Sequence, residues 1–368
     1  MSAEKYDNQH IAYLHGRPDA HPLHKSFARS ITNNHFYVDA PIRWQDRSYS
    51  VFALIFIWIF NALFFPYRRF RLFLVDNLHF SVIFYKLFFR APWRKQRFIV
   101  HLGSHTLYFM KTEKFTGFNL RLHKWALSKY DALICEGLMA ERFAKEILGE
   151  KCPPTFVTFL GPLTKRRDLL NAVRPNLESQ QIVIIASGPS DFRLFYKGMD
   201  LMLSAVSLVC EQFPLARIKI LGNWDMTQIR QHLDESLLMG DDPKVSFSGY
   251  VADLSEFLSN SALCIHLSRG DAFPTATLEA MSAGLPCIVS DVTGTCDIVN
   301  SVDTEMVLPL DAHALASAIK RYFNLSAAER LRLSNAFRLA ASGYTEENAV
   351  NHYQDTFKKI MDLLNAKK

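Results

Sequence analysis

Short apolar runs alternate with longer amphipathic stretches along nearly the whole chain. In the first half the runs fall at residues 11–14, 35–38, 72–75, 98–102, 132–135 and 155–159. Runs this short, apolar at successive positions, read as strands buried on both faces. Helical spacing of apolar residues appears between them, at 122–129 and 139–148. Gly161-Pro162 breaks the pattern, and the charged stretch 164–181 follows neither period, so it reads as an interdomain linker. The alternation then starts again, with strands at 182–187, 217–221, 245–247, 262–267 and 287–290. Helices are expected at 198–212, 228–238 and 275–283, with another opening at Gly249-Tyr-Val-Ala-Asp-Leu and a last one at 346–364. Such alternation builds parallel sheets with helices on both faces. The expectation is an α/β chain of two Rossmann-like, doubly wound domains, 1–175 and 176–345, followed by a helical segment, 346–368.

Residues 51–65, VFALIFIWIFNALFF, stand apart from this pattern. The run is shorter than the roughly 20 residues of a spanning helix. Asn61 interrupts it and Pro66 ends it. A core helix, a spanning helix and a helix lying on a membrane are all conceivable. Composition favours the last. The following stretch, 67–97, carries Arg68, Arg69, Arg71, Lys86, Arg90, Arg94, Lys95 and Arg97 against the single acid Asp76. Basic residues interleaved with aromatic ones suit anionic headgroups. An anionic membrane surface is therefore an expected partner, whereas nucleic acid is not.

Other bulk properties narrow the picture less. The net charge is a mild +6, and an apolar content of 49% suits folded cores. The six cysteines form no CxxC pair, and Cys135, Cys264 and Cys287 lie in strand-like runs, which fits free thiols in a reducing compartment. The polar start, residues 1–10, lacks the apolar core of a signal peptide. The expected location is the cytoplasm, with peripheral contact on the inner face of the cytoplasmic membrane.

The densest chemistry lies in Ser268-Arg-Gly-Asp-Ala-Phe-Pro-Thr-Ala-Thr-Leu-Glu-Ala-Met-Ser-Ala-Gly-Leu-Pro286. A strand should end at Leu267 and a helix should begin near Thr275, with Gly284 and Pro286 as stop signals. Asp271 would sit beyond the strand end and Glu279 in the first turns of the helix. Between them lie the free N–H groups of a helix N-terminus, a ready anion site. Acceptors for sugar hydroxyls, donors for a diphosphate and an acceptor for a ribose diol are what a nucleotide sugar needs.

This segment, with Phe273-Pro274, Leu278-Glu279-Ala280-Met281 and Gly284-x-Pro286, resembles the acidic–x7–acidic motif of retaining GT-B glycosyltransferases, family 4 in particular. The resemblance implies that Asp271 contacts the transferred sugar and Glu279 binds the ribose, with Ala272, Phe273, Pro274 and Thr275 around the donor. The family more often has Glu at the first position. In Phe192-Arg-Leu-Phe-Tyr-Lys-Gly198 the pair Arg193 and Lys197 resembles the basic pair that grips the donor diphosphate, although Arg193 lies closer to the lysine than the family places it. Gly249-Tyr-Val251 occupies the place of the base-binding backbone, which implicates Val251. Tyr13-Leu-His-Gly-Arg17 follows the first strand, so Gly16 and Arg17 are expected to line a ligand cleft. His101 or His105, in Phe98-Ile-Val-His-Leu-Gly-Ser-His105, matches a family histidine near the reacting sugar. In GT-B proteins the terminal helix returns to the first domain, and 346–368 has the right place and length for this.

The implied activity is transfer of a hexose from a nucleotide diphosphate sugar to a saccharide or lipid-linked acceptor hydroxyl, such as a growing surface polysaccharide. A GT-B sugar phosphorylase and a non-catalytic GT-B-like binding protein are the alternatives. No GxGxxG and no GxxxxGK[ST] occurs, so dehydrogenase and P-loop NTPase readings lack their anchors. No cofactor and no metal is expected. His21 and His24 have helical metal-pair spacing, but no third ligand follows in sequence. His266, inside a strand-like run, is read as a core residue.

Overall fold

The structure, a computed structural model, describes residues 10–15, 22–37, 51–91, 93–112, 116–188 and 191–366, with side chains described except at 51–54, 104, 105 and 191. The chain divides into two compact units: Met1–Phe159 with Ala349–Lys368, and Leu160–Asn348.

The first unit runs β1 (Ile11–His15), α1 (Pro22–Ile31), β2 (His35–Tyr37), α2 (Val51–Phe64), β3 (Leu72–Asp76) and α3 (Phe80–Phe84), the last continuing into a π-helical turn, Tyr85–Phe89. β4 (Arg97–Leu102), α4 (Ser104–Lys111), α5 (Gly117–Leu127), β5 (Ala132–Glu136), α6 (Gly137–Leu148) and β6 (Thr155–Thr158) follow. The strands form one parallel sheet in the order β2-β1-β3-β4-β5-β6. Every residue of β1, β3 and β5 is buried, as continuous apolar runs require when helices cover both faces. The order reverses between β1 and β3, which makes their C-terminal ends a topological switch point.

The second unit opens with α7 (Thr164–Asn171), then β7 (Gln181–Ile185), α8 (Asp191–Tyr196), α9 (Met199–Gln212), β8 (Arg217–Leu221), α10 (Met226–Ile229), β9 (Val245–Phe247), α11 (Ser255–Ser259) and β10 (Leu263–His266). It continues with α12 (Thr275–Ser282), β11 (Cys287–Ser290), α13 (Cys296–Asn300), β12 (Val307–Leu308), α14 (Ala312–Phe323) and α15 (Ala327–Ala341). Its parallel sheet has the order β12-β11-β10-β7-β8-β9. This is the Rossmann order, with the switch point between β7 and β10. The final helix, α16 (Glu346–Ala366), joins the first unit from Ala349 onward. There Tyr353 is fully buried and stacks on Phe27 with ring centroids 4.4 Å apart.

Four expectations need correction. The unit boundary falls at Phe159/Leu160, not after 175. The first part of the stretch read as a linker forms α7, whose polar face hides a helical period because Leu170 is its one buried side chain; 172–180 remains an irregular connection. The helix expected at 228–238 is only the short α10, a turn and a 3-10 segment, Glu235–Leu238, because Asp234 caps a new start by accepting from the Ser236 N–H at 2.9 Å. The final helix changes unit at Ala349, three residues past the expected domain limit of 346.

α2 resolves the 51–65 question in part. It is one 14-residue helix, and among the described residues no helix is long and apolar enough to cross a membrane. Trp58 and Ala62 are buried, with Trp58 stacked 4.5 Å from Phe80. On the other face Phe56, Phe60 and Phe64 are exposed, Phe56 and Phe64 by 68% and 70%.

Candidate functional site

The second unit's switch point gathers the expected chemistry. β10 delivers the chain to the loop holding Asp271, and α12 carries Glu279. The turn after α8 delivers Lys197 from the β7 side. The Lys197 ammonium contacts Asp271 Oδ2 directly. His266 Nε2 lies 3.1 Å from the same oxygen, and since a carboxylate only accepts, the imidazole donates. His266 is a core residue, as its strand position suggests, and a partner of Asp271 as well.

Two glycines make this convergence possible. Gly198 has φ +67, and a Cβ there would lie 1.9 Å from the Leu267 carbonyl oxygen. The Lys197 turn can therefore press against the end of β10 only with glycine at 198. A Cβ on Gly294 would lie 1.3 Å from the Ala272 carbonyl oxygen. The Gly294 N–H instead donates to the Asp271 carbonyl at 2.8 Å and pins the loop. Buried hydroxyls hold the loop from below: the Asp271 N–H donates to Ser268 Oγ at 3.1 Å, and Ser268 Oγ lies 3.0 Å from Thr293 Oγ1. Arg269 makes a bidentate pair with Asp200, both bonds 2.7 Å, while its guanidinium covers the Phe195 ring at 3.7 Å. The loop around Asp271 is thus tied to α8 and α9 before any ligand is considered.

Burial alone would raise the Asp271 carboxyl, but Lys197 and His266 outweigh it and hold the group well below the usual carboxylate range. Burial lowers His266, which stays neutral despite Asp271. Glu279 shows the opposite balance. Burial pushes its carboxyl up, and Arg166 only partly offsets this.

Arg166, on α7, had no sequence signal, because it sat in the supposed linker. Its Nη1 donates to Glu279 Oε1 at 3.0 Å, and its Nη2 donates to the Ala252 carbonyl at 3.0 Å. One guanidinium therefore spans from the acid of α12 to the backbone beside Val251. Val251 follows the arch in which the Gly222 N–H donates to the Gly249 carbonyl at 2.6 Å.

Ala272 and Phe273 are buried in the loop, Pro274 is the residue before α12, and Thr275 is its first residue. α12 has no side-chain cap; the Thr277 N–H turns back to the Pro274 carbonyl at 3.2 Å, and no side chain covers the N–H groups of Thr275 and Ala276 from the cap position. Arg193 lies on α8, with its Cβ against Gly188 and its guanidinium 5.9 Å from the Tyr196 ring centre. Among the described residues it makes no ion pair.

The remaining expected residues belong to the first unit. His101 is buried at the end of β4, 3.2 Å from Glu136 Oε1. His105 is the second residue of α4, and its side chain is outside the described residues. Gly16, Arg17 and His21 also lie outside the described residues. His24 is not short of neighbours, as its sequence context suggested, because the fold brings it to His101 and Glu136.

Two Rossmann-like units on parallel six-stranded sheets define the GT-B glycosyltransferase fold, and comparison with known proteins agrees. Residues 181–324, within the second unit, match the model of the family Glycosyl transferases group 1. Over 136 residues the chain is 27% identical to the phosphatidylinositol N-acetylglucosaminyltransferase gpi3 subunit of Schizosaccharomyces pombe, covering 36% of this chain and 30% of that protein. The chain spans less than half the length of the curated relatives it matches first. Sucrose-phosphate synthase from Thermosynechococcus elongatus shares the fold with a TM-score of 0.68 at 19% identity, over 96% of this chain and 100% of that one. HepE of Anabaena, solved with UDP and glucose, does so with a TM-score of 0.65 at 13% identity, over 96% and 99%.

Proposed function

We propose that this protein moves a hexose from a nucleoside diphosphate sugar to an acceptor hydroxyl, with retention at the transferred carbon. The observation that supports this most strongly is the meeting of Lys197, His266 and Asp271 at the switch point, with Glu279 buried on the adjoining helix. Asp271, kept ionised, accepts from sugar hydroxyls. Lys197, Arg193 and the N-terminus of α12 take the diphosphate, whose negative charge grows as the bond from the sugar carbon to phosphate oxygen breaks. The acceptor oxygen bonds that carbon on the same face, and its proton passes to the leaving phosphate. Glu279 accepts from the ribose hydroxyls, and the backbone at Val251 meets the base. Fixed cations and a helix terminus supply the charge stabilisation, so no cofactor enters this transfer scheme.

A thermal-shift screen against UDP-, GDP- and ADP-hexoses tests the donor site, uridine first because HepE holds UDP. A ligand at one hundred times its Kd should stabilise the protein by about 2.7 kcal/mol. Glu279→Ala should weaken donor binding by roughly ten- to a hundredfold, the loss of one hydrogen bond to a charged group. Lys197→Ala should lower kcat by about a hundredfold or more, with a smaller change in donor affinity. Indifference of the wild type to every nucleotide sugar would refute the assignment.

The acceptor is proposed to be presented at an anionic membrane. The exposed Phe56, Phe60 and Phe64 repeat at helical spacing, and the Phe60 and Phe64 rings lie tilted on each other with centroids 4.3 Å apart. Exposed Arg68 and Arg69 follow directly, and Arg94 donates to the Arg68 carbonyl at 2.7 Å, bringing the 81% exposed Trp93 into the same neighbourhood. The phosphatidylinositol in gpi3's name supports a lipid acceptor. Vesicles of anionic lipid should pull down the wild type at low salt. Phe56, Phe60 and Phe64 changed together to Ser should abolish this, while Arg68 and Arg69 changed to Ala should remove only its salt-sensitive part. Absence of wild-type binding would end the membrane proposal.

A further inference from the structure

The first unit has its own cluster at the C-terminal ends of its strands. His24, His101 and Glu136 present one ligand atom each, all within 4.8 Å of one another. They come from three elements: α1, the end of β4 and the end of β5. Glu136 Oε1 lies 2.7 Å from His24 Nε2 and 3.2 Å from His101 Nε2. Four-coordinate zinc with nitrogen and oxygen ligands near 2.0–2.1 Å holds its ligand atoms roughly 3.3 Å apart, so small shifts would admit it.

Two further observations point to an ion. Glu136 Oε1 and His101 Nε2 are buried and face each other, yet neither has a hydrogen-bond partner in correct alignment. Atoms that only completed an internal hydrogen-bond network would be aligned on one another. Asp76, also buried, lies behind His24, with Oδ1 3.7 Å from His24 Nδ1. Metal-binding imidazoles commonly turn their second nitrogen to a carboxylate in this way. Charge points the same way. Two buried carboxylates, Asp76 and Glu136, have no lysine or arginine partner among the described residues; they hold the His24 imidazole toward its protonated form, and a metal ion would take the place of that proton.

We propose that His24 Nε2, His101 Nε2 and Glu136 Oε1 bind a divalent first-row transition ion, zinc being the best match to this donor set, with Asp76 as the positioning residue behind His24. Three protein ligands leave a position for water or a substrate oxygen. All three ligand residues belong to the first unit.

The full chain would be stripped with chelator, reloaded separately with Zn²⁺, Co²⁺, Mn²⁺ and Ca²⁺, desalted and assayed for bound metal without donor or acceptor. About one equivalent of zinc or cobalt per chain is expected, with calcium excluded by the imidazole ligands. The Co²⁺ form should show the visible bands of a low-coordinate site with nitrogen ligands. His24→Ala and Glu136→Gln should lose the metal, and Asp76→Asn should keep the stoichiometry with ten- to a hundredfold weaker affinity. If the variants do not fold, the wild-type cobalt spectrum decides. Less than about 0.1 equivalent in folded, reloaded wild type, or full metal retention in folded His24→Ala and Glu136→Gln, would overturn the proposal. Because neither metal content nor spectrum depends on turnover, a failed transferase assay leaves this result standing.

Discussion

Asp271 and Glu279 are both buried carboxylates, and their surroundings drive them in opposite directions. Asp271 is depressed, so it contributes stability that is present above about pH 3.9, the ordinary Asp value, and lost as pH falls further. Asp271→Asn breaks its contact with a Lys197 that is only 15% exposed, and should cost about 3 kcal/mol at pH 7. The difference from wild type should shrink in melts run below that pH. Glu279 is raised, so its ionised form opposes folding, and the stability it gives when protonated is lost as pH rises through its folded value. Glu279→Gln should therefore raise the melting temperature at pH 7 while weakening donor binding, with the gain disappearing under acid conditions. A lower melting temperature at pH 7 would show that the Arg166 contact outweighs burial. The placement of Asp271, Glu279 and Lys197 around one strand end was legible because the motif fixes residue types at a set spacing on a strand–loop–helix. Arg166 was not, because a lone arginine in a charged stretch has no pattern until the chain folds.

At the scale of elements, the strand periods were the clearest signal. All six apolar runs of the first half became strands of one sheet, and the strand–loop–helix–strand around Asp271 formed where the motif placed it. α7 and the two-residue β12 were illegible, the one for lack of an apolar stripe and the other for lack of length. Turns carried less, since the need for glycine at 198 and 294 comes from backbone approaching across the sheet edge. Gly198→Ala should thus cost more than the 1–2 kcal/mol typical of a left-handed position, because its Cβ meets Leu267 as well. Gly117→Ala, at φ +52 with nothing within 4 Å, is the control that should cost only that backbone amount. Chemical denaturation compares them, and equal losses would contradict the role given to the Leu267 contact.

At the scale of the molecule, two compact units with separate cores should melt as separable events. Tyr353→Ala empties a fully buried, stacked position and should cost about 3–5 kcal/mol. Calorimetry should show that loss in one transition only, and donor should still stabilise the other. The chain's path has a consequence for its birth. Tyr353, Phe357, Ile360 and Leu364, on α16, are buried in a unit whose strands all precede Phe159. A ribosome therefore releases the intervening Rossmann unit complete while the earlier one still awaits its closing helix. The half begun first is finished last, and until the final turns emerge its aromatic interior stands open to chaperones and to nascent neighbours.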